Sequence, residues 1–144
     1  RIKKPETRYK IQEGCEMPYH RLEVFRKAYA VALEIHKISL GFPKHEQYEM
    51  GQQLRRSSKS IPANIAEGMG KQESKSDVIH YMRIAMGSCD ETRVWLEFAQ
   101  DLGYISREDR LKFDDQYQEI GRMLHGIRKR YEAGHQSRGT NKKC

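Results

Sequence analysis

QQLRRSSKSIPANIAEG, residues 52–68, is the stretch whose reading decides the fold. Gly51, Leu54, Ser58, Ile61 and Ile65 fall at alternating spacings of three and four, which is one face of an α-helix. That face is unusually small. Pro62 removes a helical amide and crowds the carbonyl of Ser58, costing about 3 kcal/mol unless the backbone kinks and the freed group finds a partner. Ser57, Ser58, Ser60 and Asn64 are the nearest groups able to supply one. The comb of Gly51, Ser57, Ser58, Ser60, Ala63 and Ala66 lets a second helix backbone approach closely, a packing account of most of the motif. Arg55, Arg56 and Lys59 lie within one turn and remain with two readings. They either contact phosphate or a partner, or pair internally with Glu67, Asp90 or Glu91, since a partly buried arginine needs an acceptor that matches its fork.

Outward from this stretch the same periodicity recurs. Leu22, Phe25, Tyr29, Ala32 and His36 form one stripe beside another of Val24, Ala28, Val31, Ile35 and Ile38, so the first helix packs against two neighbours. Gly41 and Phe42-Pro43 end it. Ser74-Lys75-Ser76-Asp77 and Ser106-Arg107-Glu108-Asp109 are capping signatures, each opening a long helix. The first of these carries Val78, Met82, Ala85, Cys89, Thr92, Leu96 and Ala99, and the second Phe113, Tyr117, Ile120, Leu124, Ile127 and Tyr131. The expectation is all-α: an antiparallel up-down-up-down four-helix bundle with helices at about 20–41, 45–68, 75–102 and 106–132. Residues 1–18 read as a flexible arm, 19–132 as the bundle domain and 133–144 as a disordered basic tail.

With 144 residues the chain suits a single domain. The formal charge of +7 is concentrated at the ends, because residues 17–132 hold 19 Lys/Arg against 17 Asp/Glu. Three widely spaced cysteines suggest neither a disulfide framework nor a zinc site and fit a reducing cytoplasm. No apolar run approaches the about 20 residues of a membrane span. Scattered histidines, His36 among them as an expected core residue, give no metal-ligand spacing, and no nucleophile elbow, phosphate loop or dinucleotide fingerprint occurs. The expectation is therefore no catalytic residues, no metal, no cofactor and no membrane.

Two further features stand out. Gly87-Ser88 lies in the middle of the third helix, where glycine costs about 1 kcal/mol relative to alanine, so it reads as a close helix crossing with Glu91 one turn on, able to reach Arg55 or Arg56. Arg128-Lys129-Arg130 ends the fourth helix, where cations suit the negative helix terminus and also form the best electrostatic candidate for contact with an RNA or DNA backbone.

SIPANIAEG from Ser60 to Gly68, after Leu54-Arg55-Arg56, resembles the signature of the 23S ribosomal RNA intervening sequence proteins. LEVFRKAYAVA from Leu22, FPKHEQYEM from Phe42 and IAMGSCDE from Ile84 extend that resemblance over residues 20–131, with Met50 and Ser57 standing where leucine and alanine are expected. It implies a left-handed four-helix bundle assembled as a homo-oligomeric ring, a pentamer favoured. It further implies RNA or DNA as ligand and a reverse transcriptase of a diversity-generating retroelement, or another protein, as partner. The matching positions are Arg55, Arg56, Pro62, Asn64, Glu67, Gly87, Ser88 and Glu91. The resulting expectation is a non-enzymatic, cytoplasmic, oligomeric binding protein that uses Arg55, Arg56, Lys59, Arg128, Lys129 and Arg130. The alternative is a structural or protein-interaction module with no direct nucleic-acid contact.

Overall fold

The computed structural model describes residues 18–134. The expected arm lies outside the described residues except for Pro18, and the expected tail except for Ala133 and Gly134. Four helices pack around one core: α1 (Glu23–Ser39), α2 (Met50–Met69), α3 (Lys75–Asp101) and α4 (Arg107–Glu132). Short 3-10 turns, Pro18–Arg21 and Lys44–Glu46, precede α1 and α2. Both capping serines act as their sequence requires, Ser74 Oγ accepting from the Asp77 amide at 3.3 Å and Ser106 Oγ from the Asp109 amide at 3.0 Å.

Most positions of the stripes read from the sequence form the core, with Leu22, Tyr29 and Ile38 only partly buried against it and His36 outside it. Val24, Ala28, Val31 and Ile35 of α1, Leu54, Ile61 and Ile65 of α2, the seven predicted α3 residues and the six of α4 are all buried. The helices meet in ladders whose numbers fall on one partner as they rise on the other. Between α2 and α3 the contacts are Arg56 with Glu91, Ser60 with Ser88 and Glu67 with Tyr81, and between α3 and α4 Gln100 with Arg110 and Arg93 with Asp114. The turns after α1 and after α3 accordingly touch, with the Phe42 and Tyr104 rings 5.5 Å apart.

Three expectations are corrected. The second helix starts at Met50 rather than near 45, because the Gln47 amide reaches back to donate to the carbonyls of Ser39, Leu40 and Phe42. Residues 44–49 are thereby folded across the end of α1 and are unavailable to continue α2. Pro62 is buried inside an unbroken α2, as the expected helix has it, but the partners expected for the carbonyl it frees are engaged elsewhere. The four nearby polar groups are engaged away from the Ser58 carbonyl: Ser57 and Ser58 hydroxyls donate to Leu54 and Arg55 carbonyls, Asn64 donates to the Ser60 carbonyl and hydroxyl, and the Ser60 hydroxyl pairs with that of Ser88. Gly87, finally, is not the close crossing.

The close crossing is Gly68. A Cβ there would sit 2.9 Å from Met82 Cε and 2.9 Å from Tyr81 Cβ, whereas a Cβ on Gly87 would meet nothing within 4 Å. The Met82 methyl can swing away, but Tyr81 Cβ moves only with the α3 backbone. Gly68→Ala is therefore expected to destabilise the fold by about 1–3 kcal/mol, the range for overpacking. A urea midpoint equal to wild type would refute the close approach.

Candidate functional site

The motif on α2 divides according to what each helix face touches. On the inner α2–α3 seam, Thr92 Oγ1 donates to Ser57 Oγ at 2.9 Å and the Ser60 and Ser88 hydroxyls lie 3.0 Å apart. Ser57, Ser58, Ser88 and Thr92 are buried, so this chain of hydroxyls satisfies small polar groups that a tight seam would otherwise leave unpaired.

The three cations separate. Among the described residues Arg55 meets no carboxylate. Its guanidinium donates to Ser39 Oγ at 2.9 Å and to the carbonyl of Gln47, fastening the end of α1 to the following turn. Arg56 takes the predicted acid: Nη2 lies 3.4 Å from Glu91 Oε1, the arginine exposed and the glutamate half-buried, and also reaches Gln53 Oε1 at 3.0 Å. Glu91 in turn accepts from Trp95 Nε1 at 3.3 Å. Lys59 is exposed and its Nζ lies 3.0 Å from His36 Nδ1. His36 is thus a half-exposed partner of a lysine rather than a core histidine. Burial first, then the neighbouring charges of Lys59 and Arg55, hold its pKa below the ordinary imidazole value.

The second basic group sits elsewhere. Lys75 at the start of α3 donates to the Glu132 carbonyl at the end of α4, which places Arg128, Lys129 and Arg130 at the opposite end of the bundle from the α1–α2 turn. Lys129 and Arg130 are exposed, while Arg128 is held near Glu132 and His125. Among the described residues charge is segregated: residues 88–118 hold four Lys/Arg against eight Asp/Glu, and the remainder holds 15 against nine. Lys129 and Arg130 lie at the far end from the acidic segment, whereas Arg56 sits against its Glu91.

A line of apolar side chains is left uncovered on α3. Ile84, Val94, Phe98 and Leu102 are 38%, 48%, 52% and 55% exposed, and the bare backbone of Gly87 lies among them. The line lies on the face of α3 away from the buried stripe, and the sequence reading, which followed the stripe, passed over it. His36 and Gln47 were missed for a different reason, because a pairing between helices carries no local spacing signal.

The one free cysteine among the described residues is not poised as a nucleophile. A cleft of about 250 Å³ between α3 and α4 is lined by Met86, Cys89, Tyr117 and Gly121 among others, but burial, then Asp90, pushes the Cys89 thiol up to about 12, so it is a neutral thiol at physiological pH. Among the described residues no group of three or more His, Cys, Asp or Glu side chains could hold a metal ion, and no helix is long and apolar enough to cross a membrane.

Comparison with known proteins adds two findings. A family described as 23S rRNA-intervening sequence protein matches residues 20–126. A solved structure from Bacteroides thetaiotaomicron, described as a protein with unknown function from the S23 ribosomal protein family, is 32% identical with a TM-score of 0.68, covering 74% of this chain and 95% of its own. No curated protein matches. Neither description names a reaction.

Proposed function

This chain belongs to the 23S rRNA-intervening sequence protein family, and from that premise we propose that it is a non-enzymatic binding protein that assembles with copies of itself and meets the backbone of structured RNA through its positive surface. The observation that carries the reading is the segregation of charge, with the exposed pair Lys129 and Arg130 at a helix end on the positive part of the fold. Backbone contact needs no base-reading aromatics; it needs exposed cations, and Lys129 and Arg130 are exposed with no carboxylate in ion-pair distance among the described residues. A nucleic-acid-processing protein such as a reverse transcriptase, brought to the same RNA, is the protein partner that fits. Self-assembly is supported by the exposed α3 line, since apolar side chains beside a bare helix backbone suit a second helix.

RNA affinity measured against salt tests this. The intact chain should bind with a steep negative log–log slope, and Lys129→Glu with Arg130→Glu should flatten that slope by about 1.5, weakening all sequences alike. Absence of binding even at low salt would overturn the reading. The protein-interaction module is favoured by a different observation, the internal engagement of Arg55. It predicts that the double reversal leaves every partner interaction unchanged.

A further inference from the structure

The ion pairs of the described fold show what Lys59 lacks. Lys27 meets Glu119, Arg56 Glu91, Arg83 Glu132, Arg93 Asp114 and Lys112 Glu34, each cation against a carboxylate. Lys59 instead donates to an imidazole, and beside that pair stands Arg55, whose guanidinium is occupied by a hydroxyl and a carbonyl that neutralise none of its charge. The groups that could compensate face elsewhere. On α1, Glu34 is turned to Lys112 and Lys37 adds a further positive charge; in the following turn Glu46 is within 3.7 Å of His45. The result is a seam between α1 and α2 where two permanent cations and one titratable ring converge without an anion.

We propose that Lys59 and His36, with Arg55 as a fixed charge behind them, form a binding site for a single phosphate group that is closed by the Lys59–His36 contact and opened when His36 takes up a proton. The chemistry follows from what each nitrogen can do. Lysine ammonium has donors and no acceptor, so Nδ1 accepts and the ring proton is on Nε2. When His36 becomes imidazolium, Nδ1 turns into a donor, the Lys59 contact becomes a repulsion, and one phosphate oxygen placed between the two nitrogens accepts from both. A phosphate thus replaces a contact that protonation destroys. The proposal rests on the RNA reading only for the carrier of the phosphate, a phosphodiester of the nucleic acid rather than free phosphate.

The sign of the pH dependence is fixed by the same geometry. His36 has its folded pKa below the ordinary value, so its contribution to stability is complete above that value and declines as the pH falls below it. A bound phosphate favours the imidazolium and raises that pKa, so affinity increases toward acid, by about tenfold for each unit of upward shift.

The test is to follow the ring nitrogens of His36 by NMR in the full chain through a pH titration in chloride and in inorganic phosphate at equal ionic strength. The other five histidines serve as internal references. Phosphate should raise the His36 midpoint by about one unit, and Lys59→Ala should raise the midpoint in chloride while reducing the response to phosphate. An identical His36 midpoint in the two salts would overturn the site. In the RNA arm, affinity should rise about tenfold from about pH 8 to about pH 5.5 for wild type and stay flat for His36→Gln. If phosphate shifts His36 and RNA does not bind at any salt, the site stands with free phosphate as its ligand and the RNA reading fails. If RNA binds without any effect on His36, the RNA reading stands and this site fails.

Discussion

Arg55→Ala is expected to lower stability by about 2–3 kcal/mol, and Arg56→Ala by about 1 kcal/mol or less. The two neighbours differ in what truncation leaves behind. Arg55 holds the buried Ser39 hydroxyl and the Gln47 carbonyl, and Gln47 is the residue whose amide closes three carbonyls at the end of α1. Hydrogen bonds from a charged donor are worth about 1.5–3 kcal/mol, and losing this fork also frees the turn that starts α2. Gly51 belongs to the same arrangement, because a Cβ there would lie 2.9 Å from the Glu46 carbonyl oxygen and 3.0 Å from Arg55 Nη1. Lysine cannot reach both acceptors with one ammonium, so Arg55→Lys should recover little. The Arg56–Glu91 pair is a surface contact of the kind worth about 0–1 kcal/mol. Urea denaturation of the two variants decides it, and equal midpoints would refute the assignment. RNA binding by Arg55→Ala is interpretable only beside this measurement, whereas Arg56→Ala keeps the fold and tests contact directly.

What periodicity encodes was legible: the core positions of all four helices, the two serine caps and the small face of α2 follow from spacing, because burial at every third or fourth residue is a one-dimensional property. The α1–α2 connection was not. Its 3-10 turn and the late start of α2 depend on Gln47 folding back and on Arg55 reaching across, contacts between residues whose pairing no local rule dictates. The two glycines show the same limit. Gly68 stood at the end of the expected second helix and is the point of closest approach, while Gly87 read as a crossing and faces open space, since composition marks where a backbone lacks a side chain and not what lies opposite. For the candidate site, the cations were visible and their partners were not. Only Arg56 has the expected acid, and the histidine that matters electrostatically was taken for core.

Gly87 is where assembly is expected to show its largest effect. In a protomer whose α3 faces water, Gly87→Ala should stabilise by up to about 1 kcal/mol, because the added Cβ meets nothing within 4 Å and alanine has the better helix propensity. In an assembly that packs on the line of Ile84, Val94, Phe98 and Leu102, the bare backbone admits the neighbouring copy, and any side chain at 87 holds it off. Gly87→Arg then places a long charged group in an apolar contact. A loss of about 3 kcal/mol per contact is more than a hundredfold in association, enough to convert the oligomer to protomers at micromolar concentration. Phe98→Asp removes the same surface without touching the glycine and should give the same mass. Light scattering coupled to gel filtration reads the outcome, with circular dichroism showing the helices intact. Wild-type mass retained by both variants would place the assembly face elsewhere. A gain in stability for Gly87→Ala at unchanged mass would mean that α3 remains open to solvent, leaving its apolar line free for a partner of another kind.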